Sequence, residues 1–82
     1  MKQTCRDAIL EAFDRLEDRH RRKVFNLSEI VKEVLTVTDD FAESTIRTHI
    51  TSRMCMQAPQ NHAVKYADLD RIAPGEYQRR HH

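Results

Sequence analysis

The sequence predicts a small α+β fold, mainly helical, on three observations. Apolar residues recur at helical spacing from about residue 8 to residue 54, the chain's punctuation is crowded into its last third, and a Pro-Gly step there separates two short β-prone runs. The 82 residues contain one glycine, Gly75, and two prolines, Pro59 and Pro74. A chain of this length suits one core. We read residues 1–80 as a single domain and His81-His82 as the start of a purification tag, outside that domain.

The first helix is expected from about Thr4 to about Arg19. Ala8, Ile9, Ala12, Phe13 and Leu16 form its apolar stripe, and Arg6, Asp7, Glu11, Asp14, Arg15, Glu17 and Asp18 a charged face directed to solvent. Thr4 and Asp7 have the spacing of a capping box, with Asp in place of Glu. The basic run His20-Arg21-Arg22-Lys23 reads as a soluble loop leading into a very short strand at Val24-Phe25. Asn26 then caps a second helix, with Glu29 as reciprocal partner and Leu27, Ile30, Val31, Val34 and Leu35 facing inward. The β-branched run Thr36-Val37-Thr38 marks its end, near Leu35 or Thr36.

Asp40 and Glu43 repeat the capping spacing and predict a third helix from about Phe41 to about Met56. Phe41, Ala42, Ile46, Ile50 and Met54 supply its inward stripe, with His49 and Arg53 on the border. The opposite face carries Glu43, Ser44, Arg47, Thr48, Thr51 and Ser52. A merely solvated helix face favours Glu and Lys, so small hydroxylated residues around one arginine suggest a face that is contacted. After a polar loop around Pro59, a hairpin is expected from Asp68 to Ala73 and from Glu76 to Arg79, with Val24-Phe25 as a third strand. Pro74 and Gly75 suit the two central positions of a type II turn.

Composition and motifs exclude several classes. No stretch approaches the roughly 20 apolar residues that span a bilayer, and Asp7 and Glu11 interrupt the N-terminus too early for a signal peptide. Cys5 and Cys55 are read as reduced, half-buried thiols, and the expected location is the cytoplasm. Cys55 and His49 fall on different faces of one helix, so they do not make a nucleophile and base. Cys5, His20, His49, Cys55 and His62 lack the short paired spacings of a zinc site, and no glycine-rich phosphate loop is present. We therefore expect neither an enzyme nor a metal or other cofactor.

Helix, short strand, helix, turn, helix, hairpin is the order of a winged helix-turn-helix domain, whose third helix enters the major groove of DNA. Fourteen Lys and Arg against thirteen Asp and Glu give a net charge of +1, which by itself predicts no bulk attraction to DNA. The neutrality is a cancellation of blocks. Residues 1–18 carry −2, residues 19–25 carry +4, residues 26–43 carry −4 and residues 44–82 carry +3.

The segments EIVKEV, ESTIRTHITSRM and HAVKYADLDRIAPGEY also resemble a small bacterial winged-helix family, found alone or joined to restriction or nuclease modules. The resemblance spans about residues 4 to 79 and is most specific at STIRTHI and in the DLDR and GEY pieces. It implies the fold and association with DNA, not a target. Ala73-Pro74 departs from the more basic wing tip expected, which weakens a phosphate contact there.

The expected partner is double-stranded DNA, with a homodimer or a larger bacterial complex as the assembly, acting as a transcriptional regulator or targeting module. Arg47 is the candidate for bidentate recognition of guanine, with an ion pair to Glu43 as the competing reading. Ser44, Thr45, Thr48, Thr51 and Ser52 suit phosphates or a thymine methyl, or else form a solvated or protein-contacting face. Arg53, Lys65, Arg71 and Arg79 suit phosphates, although Arg71 and Arg79 also have Asp68, Asp70 and Glu76 as nearby partners. Tyr66 and Tyr77 are read as packing residues. The rival function is a protein-interaction module on the same scaffold, without nucleic acid.

Overall fold

The computed structural model describes residues 3–54 and 68–80. They form three helices and a three-stranded antiparallel sheet, an α+β arrangement that is mainly helical. Among the described residues no helix is long and apolar enough to cross a membrane.

Helix α1 spans Cys5–His20. The Thr4 hydroxyl accepts the Asp7 N–H at 3.1 Å and so supplies one of the N–H groups that a helix start leaves unpaired. At the other end Arg21 takes a left-handed conformation, φ 58°, and its N–H reaches the Glu17 carbonyl. Ala8, Ile9, Ala12, Phe13 and Leu16 are buried as expected, and Cys5 joins them. Burial pushes the Cys5 thiol pKa up and so keeps it protonated.

Strand β1 (Val24–Asn26) buries Phe25, whose ring meets Phe13 edge-on at 6.1 Å between centroids. Helix α2 (Leu27–Val37) begins with the full capping box. Asn26 accepts from Glu29 N at 2.8 Å, and the Glu29 carboxylate accepts from Asn26 N at 3.1 Å. The helix passes the expected stop at Leu35 or Thr36, because the Thr36 hydroxyl turns back to the Glu33 carbonyl and fits the last turn. Leu35 is 41% exposed rather than core-facing. Ile30, Val31 and Val34 fill the inner stripe, and Leu35 lies about 100° round the helix from Val34. Glu33 is buried instead, on the flank that meets α1.

Helix α3 (Glu43–Thr48) starts two residues later than expected. The Asp40–Glu43 spacing does not cap it. Ala42 is the N-cap, with no side-chain bond, while the Asp40 N–H is held by the Thr38 hydroxyl in a preceding turn. Ala42 is correspondingly exposed, and Phe41 packs only partly against the core. From His49 to Arg53 the helix widens into a π-helical segment, closed by Met54 N–H on the His49 carbonyl at 2.9 Å. The Thr48 and Thr51 hydroxyls engage the carbonyls four residues back, a habit that perturbs regular helix. Ile46, Ile50 and Met54 remain buried through this change of pitch. The expected end near Met56 lies outside the described residues, as do Cys55, His62 and Tyr66.

Strands β2 (Leu69–Ala73) and β3 (Glu76–Arg79) form the hairpin, and β1 pairs with β3, giving the order β1-β3-β2. Phe25 faces Tyr77, and Arg71 faces Tyr77 from the other side. The ladder shifts between Arg71 and Ala73, leaving Ile72 in a bulge and 51% exposed. Gly75 has φ 74°, the left-handed value that the turn requires. Its carbonyl accepts the Leu27 N–H at 2.8 Å, so the hairpin turn rests on the start of α2.

Candidate nucleic-acid interface

Burial of Ile46, Ile50 and Met54 decides what α3 presents outward. Ser44, Thr45 and Thr48 are exposed, Arg47 half-buried, and together with His49 the three hydroxyl residues line a depression of about 230 Å³. The hydroxyls are not equivalent. Thr48 donates to the Ser44 carbonyl at 2.9 Å and Thr51 to the Arg47 carbonyl at 2.8 Å. A hydroxyl has one hydrogen to donate, so these two offer a ligand mainly a methyl group and lone pairs. Ser44 and Thr45 carry no side-chain hydrogen bond among the described residues. Ser52 and Arg53 lie in the π-helical segment.

Arg47 adopts the competing arrangement anticipated for it, donating through Nε to Glu43 at 3.1 Å one turn back. The pair borders a groove of about 460 Å³ between α2 and α3, where Ser28, Glu29, Lys32 and Leu35 form the opposite wall. Ser28 and Lys32 were not among the sequence-derived candidates. Their i, i+4 spacing places them on one face of α2, but only the packing of α2 against α3 brings that face to Arg47.

The arginines divide sharply by role. Arg79 points inward, because it follows the buried Tyr77 by two positions and the pleat sends both to the same face. It donates to Asp14 at 2.6 Å and to Glu17 at 2.7 Å. Burial alone would lower its pKa. Its hydrogen bonds to Glu17 and Asp14, and the charges of those carboxylates, outweigh burial and raise it. Its partners are thus on α1, not the hairpin acids at Asp68, Asp70 or Glu76.

The charged face of α1, expected to meet only solvent, is a docking surface. Arg6 pairs bidentately with Asp68, at 2.7 and 2.9 Å. Arg15 and Arg19 both reach Glu33 on α2. Burial tends to raise the Glu33 pKa, but the hydrogen bonds and charges of Arg19 and Arg15 prevail and lower it. Arg22, expected in a plain loop, bonds to the Val24 carbonyl and to Glu29, and its guanidinium lies 4.7 Å from the Phe25 ring centre. Arg80 pairs with Asp70 at 3.5 Å. Arg71 is exposed on β2, and Lys65 lies outside the described residues. Arg21, Lys23 and Lys32 have no ion-pair partner among the described residues.

One protein-family model matches residues 4–79, that of a domain of unknown function (DUF7669). No curated protein and no solved structure matches the chain.

Proposed function

We propose that this chain, which belongs to the DUF7669 family, is a winged helix-turn-helix module that binds double-stranded DNA. The helix order and the strand order β1-β3-β2 are compatible with that fold, with the β2–β3 hairpin as a short wing. The observation that carries the reading is the outer face of α3. Held by the fully buried Ile46, Ile50 and Met54, α3 and the π-helical turn after it display Ser44, Thr45, Arg47 and Thr48 beside the single acid Glu43, where an ordinary solvated face would be rich in Glu and Lys.

In this reading Arg47 exchanges Glu43 for guanine O6 and N7, and Ser44 and Thr45 donate to phosphates. The Thr48 and Thr51 methyl groups suit thymine C5. Ser52, Arg53, Lys65 and Arg71 are kept, on sequence, as candidates for the phosphate backbone, whereas Arg79 fastens the wing to α1. The module works in the cytoplasm as a regulator or as the targeting part of a larger bacterial system, and pairing of two copies would compensate for few phosphate contacts.

A duplex titration followed amide by amide at two salt concentrations tests this. Shifts centred on residues 44–53 and the hairpin, weakening steeply with salt, are expected. Their absence at low salt overturns the reading.

A second reading, a protein-interaction module, has its own supporting observation. Most arginines of the described residues are engaged within the chain, and the α2–α3 groove displays the exposed Leu35 beside mixed charges. It predicts that duplex leaves the spectrum unchanged.

A further inference from the structure

Glu43 and Arg47 stand one turn apart on α3, their side chains 59% and 42% exposed, joined by a single contact of 3.1 Å. An exposed pair of this kind is held weakly and is readily exchanged for another partner. Glu43 has no other ion-pair partner among the described residues. Any event that draws Arg47 away therefore leaves a full negative charge at the start of the helix.

Building on the DNA-binding reading, we propose that Glu43 is a specificity residue that reads cytosine while Arg47 reads a guanine nearby. In a major groove Arg47 would turn to guanine O6 and N7. The released carboxylate accepts hydrogen bonds and cannot donate. It is repelled by phosphates and by the acceptors on guanine, thymine and the N7 side of adenine. The cytosine edge offers the N4 amine without a neighbouring acceptor of that kind, so it is the favourable place for Glu43. The reach is adequate. Side chains four apart on a helix are about 5–6 Å apart at Cβ, and base pairs rise about 3.4 Å, which places the cytosine one or two steps from the guanine. The Glu43–Arg47 contact of the free protein thus keeps both readers together until DNA separates them.

Selection from a duplex library with a randomised centre, using the full chain at low salt, tests the assignment. The wild type should enrich guanine with cytosine one or two steps away, the cytosine favoured roughly tenfold. Glu43→Gln should move that second preference to adenine, whose N6 and N7 match a carboxamide, and leave guanine in place. Glu43→Ala should lose the second preference alone, while its overall affinity for duplex rises with the loss of a negative charge. Both substitutions are at an exposed side chain, and an unchanged circular dichroism spectrum verifies the fold. The proposal fails if either variant keeps the wild-type preference at every position, if the guanine preference disappears together with cytosine, or if the wild type enriches no such pair. Retention of no duplex by any of the three chains instead overturns the DNA-binding reading itself.

Discussion

Arg79, the last residue of β3, donates to Glu17 of α1 at 2.7 Å across 62 positions of sequence. A second bond to Asp14 makes the guanidinium a bridge between two successive turns of α1. The hairpin is thereby fixed to the first helix by charge as well as by the burial of Tyr77.

Loss of that bridge should destabilise the domain. Glu17 is only 15% exposed, so truncating Arg79 strands a poorly hydrated carboxylate. Arg79→Ala is expected to cost about 1–3 kcal/mol in urea unfolding. Arg79→Lys should recover only part of this, because a single ammonium lacks the fork that spans both acids. A cost within experimental error for Arg79→Ala would show that water replaces the contacts.

Acid should weaken the α1–α2 junction through Glu33. Its folded pKa is lowered from the ordinary value of 4.5, so the folded state binds fewer protons than the unfolded state around that pH. The stabilisation is therefore full above about 4.5 and is lost as pH falls through the depressed folded value. Glu33→Gln should lower stability at neutral pH by about 1–3 kcal/mol, since one side of the Arg15 and Arg19 pairs is removed. The variant should also show a flatter loss of stability below that pH, measured as urea midpoints across an acid series. An acid series parallel to that of the wild type would argue against this role.

The start of α2 is expected to be sensitive at Asn26. Its side chain and that of Glu29 satisfy each other's backbone N–H groups, and Leu27 N–H is taken by Gly75. Asn26→Ala should cost about 1 kcal/mol, whereas Asn26→Asp, which keeps the acceptor, should cost less. Thermal unfolding followed by circular dichroism distinguishes the two.

In the proposed DNA complex, the intramolecular engagement of so many arginines should set a low ceiling on phosphate contacts. The slope of log affinity against log salt should be about −3 to −5, and Arg47→Ala should weaken binding to a selected site by ~1–3 kcal/mol. Arg47→Lys should lose nearly as much, because bidentate recognition of guanine needs the planar fork. Competition titrations with fluorescent duplex measure both quantities. An affinity for the selected site unchanged by Arg47→Ala would remove Arg47 from the interface.

The amino-acid sequence by itself determined the elements whose cause is local. The stripe from Ala8 to Leu16 makes α1, the Asn26–Glu29 box starts α2, and Pro74-Gly75 turns the hairpin, because periodicity, capping and φ preference act within a few residues. Local rules misjudged the start of α3, where Thr38 takes the Asp40 N–H first, and placed Leu35 in a core already filled by its neighbours. Only the tertiary structure decided which charges remain available at the surface. Arg79 looks like a wing cation until α1 brings Asp14 and Glu17 beneath it, and Arg22 looks like a solvated loop until Phe25 and Glu29 come to it. An ion pair depends on where distant backbones meet, and no spacing within a segment encodes that distance. The near-neutral total of the chain therefore conceals two kinds of arginine, those that hold the fold together and those, headed by Arg47, that stand on its outer face.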